Sequence, residues 1–501
     1  MSLNLAHYLN ITAAEHPDMT GVMLDDFKLS YAELAAMVKR VANVLRNKGI
    51  GRGDKVAIMI PNTPPFPILY YGILSCGAAV VPVNVLYKAR EIQYYIEDSD
   101  AKALFYWKDF APEAVKAFQQ TASCEFLIEV TRPTDLEPPA VGESLMPLLM
   151  SADAEFDIEQ TMPDDTAVIL YTSGTTGSPK GAELTHFNMF FNAFVVKHFL
   201  GKIDTGEVGL VALPLFHSFG QTCMQNAAVV GACTMTMLPR FETQRALEII
   251  QRDKVTFMAG VPTMYQFMLN EAEQGNHDLS SIKLLFSGGA ALPVSVLRRF
   301  EDKFGIRILE GYGLSETSPV ASFNVLEHPS RPGSIGVPIW GVDIQIMRED
   351  GSFAPTGEVG EIVIRGHNVM KGYYKKPAAT AEAIVDGWLH TGDLAKKDED
   401  GYIYIVDRKK DLIIRGGMNV YPREIEEVLY THPDILEAAV IGVPDDLRGE
   451  EVKACIALSK EGALTSEDII AFCTENLAKY KVCLLYTSDA ADEEDSVDLG
   501  G

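Results

Sequence analysis

Positive charge is scarce in this chain of 501 residues: 43 lysines and arginines stand against 69 aspartates and glutamates, a formal charge of −26. Nucleic acids and anionic membranes draw basic surfaces, so no nucleic-acid partner is expected and membrane contact is confined to the periphery. An anionic ligand must be held by local cations and backbone N–H groups. Organised cysteine is lacking too. The seven cysteines, at positions 76, 124, 223, 233, 455, 473 and 483, form no C-x-x-C pair and no zinc spacing. With no secretory leader, they are expected as free thiols in a reducing, cytoplasmic setting. Clean apolar runs are missing as well. Residues 56 to 87 and 208 to 239 carry no charge and are long enough to raise the question of a membrane span. The first is broken by Pro61, Pro64, Pro65, Pro67, Gly77, Pro82 and Asn84, and the second carries Pro214, His217, Gln221, Gln225 and Asn226. Both read as buried strand and helix pairs, and no transmembrane segment is expected.

What is present has the balance of a globular protein, 47% hydrophobic and 22% charged, in a chain too long for one core. Ser30 and Glu33 predict a capping box, apolar residues at Leu34, Met37, Val38, Val41 and Leu45 a helix, and Gly49 its C′ position. Next come a strand (56 to 60), a helix (about 66 to 76), a strand (79 to 83) and a helix near 90 to 96. This βαβ rhythm, recurring between 160 and 330, predicts parallel sheets covered by helices. From Val342 to Tyr404 the pattern changes to short strands with glycine turns, a small β subdomain or barrel. A boundary is expected near Asp407–Asp411, followed by a helix (422 to 429) and strands near 438 to 443 and 453 to 457.

The run from Tyr171 to His186, YTSGTTGSPKGAELTH, holds the densest chemistry. A short β-branched strand precedes it and helical spacing is expected from about Leu184, so it reads as a loop between strand and helix. Gly174, Gly177 and Gly181 allow close approach, Thr172, Ser173, Thr175, Thr176 and Ser178 offer hydroxyls, and Lys180 a mobile cation: a phosphate-binding loop. A plain surface turn has no need of five hydroxyls, three glycines and a lysine together. Pro179 rules out the Walker A pattern, and no G-x-G-x-x-G is present. The run resembles the signature of the adenylate-forming superfamily, which includes acyl-CoA synthetases, peptide-synthetase adenylation domains and firefly-type luciferases.

Further segments follow in the superfamily's order. LPLFHSFG (213 to 220) holds His217, which by itself reads as a satisfied core histidine; the resemblance implies instead a place at the acyl pocket, orienting the carboxylate. EGYGLSET (310 to 317), with Gly311 and Gly313 flanking Tyr312, joins an aromatic face to a carboxylate and a hydroxyl. Tyr312 could stack on adenine, Glu316 hold Mg²⁺ and Thr317 donate to a phosphate oxygen, or Ser315 and Thr317 could simply cap a helix. Upstream, Gly288 and Gly289 in LFSGGAALP are implied to border adenine and the acyl group. Asp393 (WLHTGD) and Arg408 (DRKKD) are ordinary turn residues taken singly, and ribose ligands by resemblance. Lys410 matches the hinge of the family's C-terminal lid, and Gly417 the loop along which coenzyme A passes.

The resemblance covers roughly residues 1 to 482 and is closest to bacterial medium- or long-chain fatty-acid–CoA ligases. It implies an α/β fold: a large N-terminal domain of parallel and mixed sheets flanked by helices plus a β subdomain (1–409), and a small mobile α/β lid (410–482). The implied reaction joins a fatty or other hydrophobic carboxylic acid to coenzyme A, with ATP and Mg²⁺, through an acyl-adenylate. Lys180, Thr317, His217 and Lys410 are the implied catalytic and hinge residues; Glu316 is the metal ligand. Thr172 to Gly177 and Lys180, Gly288, Gly289, Gly311 to Gly313, Thr317, Asp393, Arg408 and Gly417 are the implied nucleotide and coenzyme contacts. The alternatives are an aryl-CoA ligase, a ligase loading acyl groups onto a carrier protein, and an adenylation-impaired nucleotide- or acyl-CoA-binding protein. The last arises because, after LAKYKV, the family continues to a P-K-x-x-x-G-K loop with the lysine that drives adenylation, whereas here the chain reads CLLYTSDAADEEDSVDLGG. The acidic segment 483–501 is expected to be disordered or foreign. Val261, Met264 and Val320 are expected in the acyl pocket; chain length and oligomeric state are not encoded legibly.

Overall fold

The computed structural model describes residues 2–135, 137–172, 178–275, 277–329, 331–415, 418–445, 448–460, 462–482 and 485–488. Helix Tyr31–Asn47 shows how local sequence becomes structure. Ser30 Oγ accepts from the Glu33 N–H (3.2 Å) and Glu33 Oε2 from the Ser30 N–H (2.8 Å), the reciprocal cap that starts helix Tyr31–Asn47. Such a cap is worth about 1 kcal/mol. Gly49, at φ +74°, closes the far end, where Ile50 N–H donates to Leu45 O (3.0 Å).

The βαβ rhythm builds two large sheets. The first has nine strands in the order Val337–Pro338, Val320–Phe323, Ile308–Gly313, Leu284–Ser287, Phe257–Gly260, Val208–Val211, Thr234–Met237, Thr20–Leu24 and Phe27–Ser30. Its interior pairs are parallel and its edges antiparallel. The second runs Gly372–Tyr373, Lys180–Thr185, Thr166–Thr172, Ala79–Pro82, Lys55–Met59, Ala101–Trp107, Phe126–Val130 and Glu143–Ser144. Interior strands such as Leu284–Ser287 are buried on both faces, as parallel sheets require. Both uncharged stretches lie in these layers; helix Pro65–Ser75 is buried from Phe66 to Ser75. Among the described residues no helix is long and apolar enough to cross a membrane, and Cys76, Cys124, Cys223 and Cys233 are free thiols.

Residues 342 to 408 form a third, antiparallel sheet: Val342–Met347, Gly360–Gly366, Trp388–Lys397 and Ile384–Val385, with Ile403–Arg408 added to Trp388–Lys397. The last sheet begins at Ile413 and gathers Ile413–Arg415, Met418–Val420, Ile435–Asp445, Gly449–Leu458 and Leu485–Ser488. The expectation of disorder over 483–501 is corrected at Leu485–Ser488, whose backbone pairs in parallel with Lys453–Ile456; residues 489–501 lie outside the described residues. It has its own core, in which Ile425 and Leu429 of helix Pro422–Leu429 meet Val440, Val452 and Ala454. This unit touches the rest of the chain through a few polar links. Gln266 Nε2 donates to Leu436 O (2.8 Å), Ser295 Oγ to Tyr430 O (3.2 Å) and Arg423 Nη1 to Ile405 O (3.0 Å).

Candidate functional site

The expected strand–loop–helix around Lys180 is corrected by the structure. Strand Thr166–Thr172 turns back as strand Lys180–Thr185, with Thr172 opposite Lys180 as the last pair, so the loop is the tip of a hairpin. Helix His186–Val195 starts only after it, capped by Thr185, whose Oγ1 accepts from Asn188 N–H (3.1 Å). Six residues are too few for helical and strand periods to be told apart, and pairing across the hairpin settles the matter. Gly181 serves this hairpin: a Cβ there would lie 2.7 Å from Ile169 Cγ2. A phosphate beside the Thr172–Lys180 pair would therefore meet Lys180, with no helix N-terminus among the described residues behind it. Ser173, Gly174, Thr175, Thr176 and Gly177 lie outside the described residues.

Glu316 comes to the tip end of this hairpin, at the Thr172–Lys180 pair. Its Oε1 accepts from Tyr373 OH (2.8 Å) and from Thr172 Oγ1 (3.3 Å), and Lys180 Nζ lies 5.3 Å from the centroid of the Tyr373 ring. Tyr373 is the residue that sequence reasoning missed. Strand Gly372–Tyr373 pairs with Lys180–Thr185, Tyr373 opposite Ala182, and Met370 N–H donates to Glu316 O (2.8 Å), so one short strand locks the three groups together. Nothing in the local string GYY signals this. Burial and the Glu316 charge hold the Tyr373 phenol far above its ordinary pKa, so it acts as a donor. Removing that donor by Tyr373→Phe should slow adenylation roughly tenfold without changing the melting temperature, because a hydrogen bond to a charged group is lost at a half-buried site. Pyrophosphate release measures it.

Thr317 is fully buried, and its hydroxyl is taken up by its own turn, accepting from Leu314 N–H (2.8 Å) and donating to Pro319 O. The turn Ser315–Thr317 is a single 3₁₀ turn rather than the start of a longer helix. Gly311 and Gly313 are likewise used by the fold. A Cβ at Gly311 would sit 2.1 Å from the Phe323 ring, and one at Gly313 1.8 Å from Pro319 O. Gly289 adopts φ +83°, open only to glycine at low cost, and a Cβ at Gly288 would lie 3.2 Å from the Phe219 ring.

Asp393 and Arg408 prove to be register partners on neighbouring antiparallel strands, Trp388–Lys397 and Ile403–Arg408. Arg408 Nε lies 3.5 Å from Asp393 Oδ1, and Tyr312 OH donates to Asp393 Oδ2 at 2.5 Å. The expected adenine-stacking ring and the expected ribose carboxylate are thus one unit. Burial raises the Asp393 pKa, against the lowering effects of the Tyr312 bond and the Arg408 charge. His217 is exposed, and desolvation by the surrounding protein lowers its pKa and favours the neutral imidazole. Lys410 stands exposed in the turn between the third and last sheets. Gly417 lies outside the described residues.

Glu310, first residue of the EGYGLSET string, is buried and accepts from Leu292 N–H (3.0 Å). Burial pushes its carboxyl from 4.5 up to about 7, with Leu292 and the Arg423 charge opposing. The folded chain therefore holds this proton more tightly than the unfolded chain, and stability falls as pH rises from about 4.5 to about 7, by up to about 3 kcal/mol. Glu310→Gln should then melt above the parent protein at pH 8 and lose most of that advantage at pH 5.5. A melting difference independent of pH would rule this out.

Comparison with known proteins follows the same lines. The family described as AMP-binding enzyme matches residues 9–374, and the AMP-binding enzyme C-terminal domain matches residues 424–485. The chain is 39% identical to a long-chain-fatty-acid–CoA ligase of Bacillus subtilis (strain 168), over 96% of this chain and 90% of that protein. It is 37% identical to a feruloyl-CoA synthase of Amycolatopsis sp, over 93% and 91%. In three dimensions it is similar to the anthranilate CoA ligase AuaEII in complex with anthranoyl-AMP, with a TM-score of 0.92 and 25% identity over 98% of this chain and 95% of that one.

Proposed function

This chain belongs to the AMP-binding enzyme family, and from that premise we propose that the acid it activates is fatty or otherwise hydrophobic. It is an AMP-forming acid–thiol ligase that uses ATP and coenzyme A. The carboxylate attacks the α-phosphorus of ATP to give acyl-adenylate and pyrophosphate; the coenzyme A thiol then attacks the acyl carbonyl and AMP leaves. The observation that carries the site assignment is the meeting of Thr172, Lys180, Glu316 and Tyr373 at one hairpin.

No protein nucleophile is required, so positioning and charge neutralisation do the work. Lys180 neutralises the phosphates at the hairpin tip, and His217, neutral and exposed, orients the acid. Asp393 accepts from the ribose hydroxyls while Tyr312 and Arg408 hold it in place. Thr317 acts through the turn that presents Glu316. The Glu316 carboxylate, whose described partners are the neutral hydroxyls of Thr172 and Tyr373, keeps charge and lone pairs for a hard cation and fits Mg²⁺. Bound there, Mg²⁺ supplies further neutralisation of phosphate charge. Lys410, exposed between two units that touch through few polar links, is the hinge about which residues 413 onward reorient between half-reactions.

The hydrophobic acid is supported by Met264 and Val320, both buried, and by partly buried Val261, at the positions expected for the acyl pocket. A panel of alkyl, aryl and short acidic substrates, assayed for AMP formation with coenzyme A, tests it. Preference for a short charged acid would overturn the reading while leaving the ligase chemistry intact.

A further inference from the structure

One helix behind His217 carries a contradiction in its packing. Gly220–Asn226 is a π-helix, a rare form that recurs at functional sites, and all of its residues are buried. Two of its polar side chains are well served. Thr222 Oγ1 donates to Ser318 O (2.7 Å), and Asn226 Oδ1 accepts from Tyr71 OH (2.7 Å). The other two are not. Gln221 and Gln225 are 0% exposed, yet neither amide oxygen nor amide nitrogen of either has a hydrogen-bond partner among the described residues. Each buried polar group left unpaired costs about 1–3 kcal/mol, so two whole amides held this way disfavour the fold and ask for a use.

Their placement supplies one. Gln221 N–H donates to His217 O (3.1 Å), and Gln225 follows four residues later, near the same face of a helix whose turn is widened by i→i+5 bonding. The helix begins beside Gly288, where a Cβ would lie 3.2 Å from the Phe219 ring, and is tied through Thr222 to Ser318, two residues before Val320. It therefore spans the two segments assigned to the acyl group, with His217 exposed ahead of it and the glutamines buried within it. Ser287, directly before Gly288, adds another buried hydroxyl without a described partner. Buried cations are missing from this region. The one buried lysine or arginine among the described residues is Arg415, in the C-terminal unit, where it pairs with Glu451.

We infer that Gln221 and Gln225 form a neutral polar subsite within the acyl pocket, and that the preferred acid carries an uncharged hydrogen-bonding oxygen (hydroxyl, keto or ether) on an otherwise apolar body. The inference rests on the ligase reading above and narrows its substrate class. A glutamine amide both donates and accepts, which suits a hydroxyl or carbonyl, whereas a second carboxylate or a sulfonate would find no counter-charge. Sites built to hydrogen-bond a substrate oxygen reject the analogue without it strongly, because their own polar groups are then left unpaired.

The test compares acids of the same skeleton with and without the oxygen: para-hydroxycinnamic against cinnamic acid, and ω-hydroxy and keto fatty acids against their unsubstituted twins. kcat/KM for AMP formation is measured on the full chain, on Gln221→Leu and Gln225→Leu, and on the double variant. The expected result is that at least one oxygenated acid is preferred by roughly tenfold or more. The leucine variants should bring that ratio towards one, mainly by improving use of the unsubstituted twin, and should melt at or above the parent temperature. Preference for the plain acid in every pair, or a ratio unchanged in the double variant, overturns the subsite. Absence of turnover with every acid would count against the ligase reading, and in that case thermal stabilisation by each twin decides the subsite: equal shifts sink it, a larger shift with the oxygenated acid upholds it.

Discussion

Glu316→Gln should lower pyrophosphate release from ATP and acid by on the order of a hundredfold, with the melting temperature close to that of the parent. The amide oxygen of glutamine can still accept from Thr172 and Tyr373, which hold Glu316 in the structure at 3.3 Å and 2.8 Å, so the local fold has no reason to change. What disappears is the negative charge that the Mg²⁺ site needs. Lys180→Ala should cost a comparable factor by removing the cation opposite Thr172 at the hairpin tip, with at most about 1 kcal/mol of stability lost with its contact to the Tyr373 ring. Loss of adenylation with an unchanged melting curve is the expected pair of results. Near-normal adenylation by both variants would remove the hairpin from the mechanism.

Gly313→Ala should damage both stability and the site. A methyl group there would lie 1.8 Å from Pro319 O and 2.6 Å from its carbon, both backbone atoms that no rotamer change can move aside. Relief requires opening the pairing of Gly313 with Val320, and between those two residues lies the turn that presents Glu316. A loss of about 3 kcal/mol or more is expected, together with adenylation. Gly351→Ala provides the contrast. Gly351 has φ +83° with nothing within 4 Å of its Cβ position, so only the left-handed backbone penalty of about 1–2 kcal/mol applies. Urea unfolding of both variants separates the two costs; equal losses would mean that the contact at Gly313 relaxes freely and that its role is one of ligand approach.

The sequence by itself determined what depends on neighbours a few positions apart. Ser30 and Glu33 cap their helix through bonds three residues long, and strands such as Lys55–Met59 and Ala79–Pro82 follow from short apolar runs between turn residues. The adenylate-forming reading was equally legible, since its motifs are contiguous strings. Tertiary structure alone decided how those strings meet. Glu316 lies 144 residues from Thr172 and 57 from Tyr373, and Asp393 faces Arg408 only because two antiparallel strands adopt one register. Strand order creates such contacts, and strand order leaves no local periodicity to read. The same cause explains the misread segment after Lys180, where six residues take their conformation from the strand opposite. It also explains the glycines at 311 and 313, whose missing side chains make room for Phe323 and Pro319 rather than directly for a ligand. Gln221 and Gln225, polar residues in an apolar run, were visible from the start; only burial without partners made them a site.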